Sequence, residues 1–311
     1  MSPASSLRVE ACAAPVEAAV DAPGAPDYEL LSLAGRGTFA DVWCVRDRQT
    51  GRHLALKQLR TDRNDQPAAR RILENEANVC QKVRSEHVVT IIHSQLDADP
   101  PHLALEWLSG KSLEARLAAG ERLFCREALW IARQCAQGMH ALLAAGYTHG
   151  DVKPSNIFVL SDGRVKLIDL GFARPDHQLA TDLAAANDRP LTGTPEYLAP
   201  EALVQGDTGG VTRDVYSLGV TLFRMLTGSL PFKGESVADI LRQHQQSLPP
   251  RLRSLAPDVP REVSGLVQRL LSKQPLRRGG GLSWLIDELI GLELSLLTAE
   301  LESTAGESTE E

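Results

Sequence analysis

The spacing of apolar residues changes at about Leu108, and this change limits the possible folds more than any other feature. Before it, residues 28–34, 40–46, 53–59, 88–95 and 102–107 are short runs of β-type composition or alternation, separated by turn residues such as Gly51. One helical stretch, 67–83, interrupts them, with Pro67 suited to a first helical turn. Beyond Ser109, residues 112–119, 126–145, 212–227, 237–246, 260–271 and 282–297 have helical period or length. Short strands are expected there at 156–160 and 165–168. The pattern predicts an α+β chain with a small β-rich first lobe carrying one helix, a larger helical second lobe, and a cleft between them. The lobes are expected at 28–108 and 109–298, after an Ala/Pro-rich disordered leader over 1–27 and before an acidic disordered tail over 299–311.

Composition narrows the function. With 33 Lys and Arg against 40 Asp and Glu, the net charge is −7, and no basic block stands out. That excludes a general nucleic-acid or anionic-membrane binder. Only seven of the basic residues are lysine, so a lysine at a motif position carries weight. The five cysteines (Cys12, Cys44, Cys80, Cys125 and Cys135) are odd in number and form no CxxC pair, which fits reduced thiols in a cytoplasmic protein. The most apolar stretch, 282–297, is broken by Asp287, Glu288 and Glu293, so no membrane insertion is expected. It reads instead as the last core helix.

Several segments carry chemistry. Gly35-Arg36-Gly37-Thr38-Phe39-Ala40 lies between two expected strands, where glycines let backbone N–H groups approach phosphate oxygens. Alone, it is equally a plain hairpin turn. Ala55 and Lys57 are two apart in a strand and share a face, leaving room for a flat ring beside a lysine that reaches its phosphates. In the helix over 67–83, Ile72, Val79, Cys80 and Val83 form an apolar stripe, and Glu76 lies on it while Glu74 points away. A carboxylate facing inward needs a charge partner, and Lys57 is the nearest candidate upstream. His149-Gly150-Asp151-Val152-Lys153-Pro154-Ser155-Asn156 is a loop, because Pro154 excludes a regular helix. Thirteen residues after Asn156 comes Asp169-Leu170-Gly171. Asp151, Asn156 and Asp169 offer hard oxygen donors of the kind that suit Mg²⁺ with a phosphate.

In this order, the segments resemble a Ser/Thr protein kinase of the eukaryotic-like (Hanks) type found in bacteria, over about 28–297. The resemblance implies a two-lobed kinase fold, ATP with Mg²⁺ (Mn²⁺ as an alternative metal), and protein substrates bearing Ser or Thr. It also implies a role for each motif residue. Gly35 and Gly37 would belong to the phosphate-covering loop, and Lys57, paired with Glu76, would hold the α- and β-phosphates. Leu105 would be the gatekeeper, Glu106 and Leu108 the hinge, and Val42, Ala55 and Phe158 the adenine sandwich. Asp151 would take the substrate's hydroxyl proton with Lys153 near the transferred group, and Asn156 and Asp169 would bind the metal. Glu201 would pair with Arg278, and Asp214-Val215-Tyr216-Ser217-Leu218-Gly219 would begin a buried central helix.

Three departures stand out. Ala40 replaces the third glycine of the loop and Leu170 replaces the usual Phe. Gly150 stands where many kinases have an Arg that helps bind a phosphorylated activation segment, which weakens switching through Thr181 or Thr192, while Arg174 remains as an alternative partner for such a phosphate. His-Gly-Asp also occurs in small-molecule phosphotransferases of the aminoglycoside and choline kinase type, but Lys153, the Ala199-Pro200-Glu201 segment and the Asp214 helix favour a protein substrate. A pseudokinase scaffold is the non-enzyme alternative, and the retained Lys57, Asp151, Asn156 and Asp169 argue against it. The lack of a membrane span argues against a receptor kinase with an outer sensor domain, so a cytosolic or partner-borne signal is expected.

Overall fold

Val45, Leu54 and Leu56 alternate with neighbours on the other face of a sheet and bury one side of it, where they form a core cluster with Tyr28, Leu30 and Ala104. The computed structural model describes residues 20–22, 25–63, 66–118, 122–176, 193–204 and 210–307. The described residues form two compact units. The first comprises those up to Ala118 together with Ala141–Pro175, and the second comprises the rest.

In the first unit, six antiparallel strands lie in the order β1 (Val20–Ala22), β2 (Ala25–Arg36), β3 (Ala40–Asp47), β4 (His53–Leu59), β6 (His102–Glu106) and β5 (Ile91–Gln95). Val42 is opposite Lys57, and Ala55 is opposite both Cys44 and Leu105, so Val42, Ala55, Lys57 and Leu105 share the face opposite that core cluster. Helix α1 (Pro67–Lys82) packs on the sheet through Ala69, Leu73, Glu76, Ala77, Val79 and Cys80. The expected stripe is corrected by one position. Leu73 takes the buried place assigned to Ile72, and Ile72 is half-buried against Gly171. The unit also holds α2 (Leu113–Leu117), the sheet of β7 (Gly110–Ser112), β9 (Ile157–Leu160) and β10 (Val165–Leu167), and the pair β8 (Tyr147–Thr148) and β11 (Arg174–Pro175).

The second unit is helical. Helix α3 (Cys125–Ala144) belongs to it up to His140. Helix α4 (Gly210–Thr227) is buried nearly all round, from Val211 to Leu226. A Cβ at Gly219 would meet Leu270 Cβ at 2.7 Å, so only glycine permits this crossing between α4 and α7 (Arg261–Leu270). Between them in sequence lie α5 (Val237–Gln246) and α6 (Leu252–Leu255). Arg278 is buried and joins Glu201, with its Nη2 donating to Glu201 Oε2 at 2.7 Å.

Regular elements occur inside both ends expected to be disordered. Val20–Ala22 pairs with β2 inside the expected leader, because backbone pairing with an edge strand needs no large side chains. Residues 1–19 and 23–24 lie outside the described residues. Helix α8 (Leu282–Glu307) continues nine residues into the expected tail, where Ala, Glu and Leu extend a helix already nucleated. It is a core helix only at its start. Leu282, Leu285 and Leu289 are buried, while Ile290, Leu294, Leu297 and Leu301 are exposed. Among the described residues, no helix is long and apolar enough to cross a membrane.

Candidate active site

One face of the first unit's sheet forms the wall of a cleft of about 530 Å³, counting the solvent at its mouth. Val42, Ala55, Leu105, Leu108 and Phe158 make it apolar, while Glu106 lines its rim and Lys57, Glu76 and Asp169 line its polar end. An apolar slot with a few converging charges suits a flat ring carrying a charged tail. The sequence reading missed three lining residues, Val89, Trp107 and Ile168. Trp107 and Ile168 were signalled only by adjacency to Glu106, Leu108 and Asp169. Val89 lies in no motif, and its N–H donates to Leu167 O at 2.9 Å.

At the polar end, Lys57 Nζ lies 2.5 Å from Glu76 Oε2 and 2.9 Å from Asp169 Oδ1. The inward-facing carboxylate expected on α1 therefore meets the expected lysine. Burial opposes the lysine's charge, but the Asp169 and Glu76 carboxylates outweigh it and hold the ammonium above its ordinary range. Burial pushes Glu76 upward against the pull of Lys57. Burial also works against an ionised Asp169, but Lys57 overcomes it and holds the carboxyl below the usual range. Glu76 Oε1 is buried without a hydrogen-bond partner among the described residues. Asp169 has φ +64°, the only positive φ at a non-glycine position among the described residues. Aspartate tolerates this left-handed region better than most residues, and the conformation still needs support from its surroundings.

The loop 149–156 is built by hydrogen bonds. His149 Nε2 donates to Ile168 O at 3.2 Å, and its Nδ1 accepts the Asp151 N–H at 3.3 Å, so the ring carries its proton on Nε2. Asn156 Nδ2 donates to Asp151 O at 2.9 Å and Asp151 Oδ2 at 3.1 Å, which turns the amide oxygen the other way. Ile168 N–H donates to Asn156 O at 2.9 Å, stitching this loop to the strand before Asp169. Lys153 Nζ lies 2.7 Å from Asp151 Oδ2. Gly150 has φ +80°, and a Cβ there would sit 2.4 Å from Phe172 O. The backbone itself thus excludes an arginine at this position. Gly35 is paired with Val42 near the end of β2, Gly37 lies in the β2–β3 turn closed by its N–H to Ala40 O bond of 2.9 Å, and neither lines the cleft. Thr181 and Thr192 lie outside the described residues.

Asp169 and Asn156 carry hard oxygen donors of the kind that suits a divalent cation with a phosphate ligand. Two carboxylates face one ammonium, and the Asn156 amide oxygen is turned away from Asp151.

The sequence profile described as the protein kinase domain matches residues 28–289. Among curated proteins, the serine/threonine-protein kinase drp72 of Corynebacterium efficiens is 32% identical over 81% of this chain and 48% of its own length. PrkC of Bacillus subtilis is 30% identical over 81% of this chain and 38% of its own length. PknA of Mycobacterium tuberculosis is 30% identical over 81% and 58%. The chain spans roughly half the length of these relatives.

Proposed function

The chain belongs to the protein kinase family, and from that premise we propose that it transfers the γ-phosphoryl group of ATP to Ser or Thr hydroxyls of protein substrates. The family implies ATP and a divalent metal ion, and Mg²⁺ is the metal we assign. The observation that carries the proposal is the Lys57 ammonium, held between Glu76 and Asp169 at the polar end of an apolar cleft. When bound, Mg-ATP supplies the phosphoryl group and a metal charge to offset the charge on its phosphates. Val42, Ala55, Leu105 and Phe158 would hold the base, with the backbone of Glu106 and Leu108 at its edge, while the β2–β3 turn carrying Gly35 and Gly37 would cover the phosphates. Lys57 would hold the α- and β-phosphate oxygens, and Glu76 fixes its position. Asn156 and Asp169 would present oxygens to the metal. Asp151 would orient the substrate hydroxyl and take its proton at the carboxylate, with the Lys153 ammonium near the transferred group. Catalysis of this kind comes from positioning and charge, with little covalent work by the protein.

The same reading takes residues 28–298 as the catalytic domain, a cytoplasmic setting and an activator that is itself a protein. Cys44, Cys80 and Cys135 are buried free thiols, which fits a reducing compartment. The test is the intact mass of the protein and of an added generic Ser/Thr-containing substrate, before and after incubation with Mg-ATP. Wild type is expected to add phosphate, and Asp151→Asn to add it about 10²–10⁴-fold more slowly, the usual loss with a general base. Equal transfer by the two would remove Asp151 from its role. Nucleotide binding without transfer would favour a scaffold instead.

A further inference from the structure

Asn75 stands one residue before Glu76 on α1, and the sequence reading gave it no role. Its side-chain Nδ2 donates to Ala173 O at 2.8 Å and Gly171 O at 3.0 Å, and lies 3.4 Å from Leu170 O. Three carbonyl oxygens around one end of the amide fix which end faces them, since a carbonyl can only accept. These bonds close a seam that glycine makes possible. A Cβ at Gly171 would sit 2.5 Å from Ile72 Cγ2 and 3.2 Å from Ile72 O, so any larger residue would push the loop off the helix.

The seam joins the two pieces that hold Lys57. Glu76 follows Asn75 on the helix, and Asp169 precedes Leu170 in the loop. The Lys57 contacts of 2.5 and 2.9 Å hold only while helix and loop keep their spacing. Asp169 also sits at φ +64°, a conformation that needs outside support. We infer that Asn75 is a positioning residue of the phosphoryl-transfer site, clamping the Glu76 helix to the Asp169 loop through its amide donor. This rests on the kinase reading and deepens it. The chemistry is specific to a donor. Aspartate has nearly the same shape but would turn a carboxylate towards three carbonyl oxygens, whereas glutamine keeps the donor on a longer arm.

The test compares wild type with Asn75→Asp, Asn75→Ala and Asn75→Gln. The readouts are kcat and KM for Mg-ATP, the affinity for a fluorescent ATP analogue with and without Mg²⁺, and the thermal midpoint. In Asn75→Asp, kcat should fall at least tenfold with KM changed less than threefold, because the apolar cleft walls are untouched. The gain in nucleotide affinity on adding Mg²⁺ should fall with it. Asn75→Ala should lose severalfold and Asn75→Gln should recover part of that loss. Should Asn75→Asp fail to fold, Asn75→Ala and Asn75→Gln carry the same comparison. Wild-type kcat and Mg²⁺ response in Asn75→Ala, or a lowered midpoint with both unchanged, would overturn the role. A wild type with neither transfer nor Mg²⁺-dependent nucleotide binding would defeat the kinase reading, and where transfer alone is missing the Mg²⁺-dependent binding decides Asn75.

Discussion

Arg278 with Glu201 in the second unit, and Lys57 with Glu76 and Asp169 in the first, are both buried ion clusters, yet their surroundings differ. Arg278 meets Glu201 with both terminal nitrogens, donates to Thr212 O at 2.8 Å and Ser272 O at 2.9 Å, and lies over the Tyr216 ring at 4.8 Å. Thr212 Oγ1 adds a donor to Glu201 Oε1 at 3.4 Å. Lys57 instead divides one ammonium between two carboxylates at the edge of a cleft, Glu76 Oε1 has no partner among the described residues, and Asp169 is held in a strained backbone. The Arg278 cluster is saturated by its neighbours, whereas the Lys57 cluster faces a cleft. On the proposed reading, the first kind holds a fold together and the second serves chemistry.

The difference can be broken by substitution, starting with the largest effect. Lys57→Met should cut phosphoryl transfer by about 10³-fold or more, as loss of a main charge stabiliser does, while the chain stays folded. A rate assay beside circular dichroism checks both halves, and an active Lys57→Met would place the cluster with the structural pair. Arg278→Met should do the opposite. Leaving Glu201 buried without its partner is expected to lower unfolding stability by about 3–5 kcal/mol, read from denaturant titration. Loss of activity with unchanged stability there would reverse the assignment.

A smaller effect sharpens the contrast within the second unit. His244 accepts from the Tyr216 hydroxyl at 2.9 Å through Nδ1 and donates to Glu196 O at 3.1 Å through Nε2, so the fold uses it neutral. Burial, reinforced by the Lys273 charge, pushes its pKa down to about 4. In the unfolded chain it titrates near 6.5. Between those values the unfolded chain binds the proton and the folded one does not, so stability is lost as pH falls through that window. Wild type should therefore lose more stability than His244→Gln between pH 6.5 and 4, by no more than about 3 kcal/mol. Parallel pH profiles for the two proteins would contradict this.

How much could be read from the sequence follows from what each feature depends on. Asp151, Lys153, Asn156 and Asp169 were legible because their chemistry sits at fixed spacing in two short loops. Lys57 and Glu76 were legible because strand and helix periods say which way each side chain faces. Asn75 was not, since its partners are carbonyls more than ninety residues away, and a carbonyl carries no residue identity. The exchange of Ile72 for Leu73 on α1 has a similar origin. The two differ by one helical step, and what decides between them is the bare backbone of Gly171. Composition placed the start of the tail too early because its Ser and Glu content suggests solvation, while its Ala, Glu and Leu sustain a helix.

The central claim is that the Lys57–Glu76–Asp169 cluster serves phosphoryl transfer and not folding. It is tested most directly by measuring transfer rate and unfolding midpoint together on purified Asp169→Asn. The predicted result is transfer at least about 10³-fold below wild type, with a midpoint within about 4 °C, equivalent to roughly 1–2 kcal/mol in a chain of this size. Wild-type transfer, or a collapse in midpoint like that expected of Arg278→Met, would contradict it.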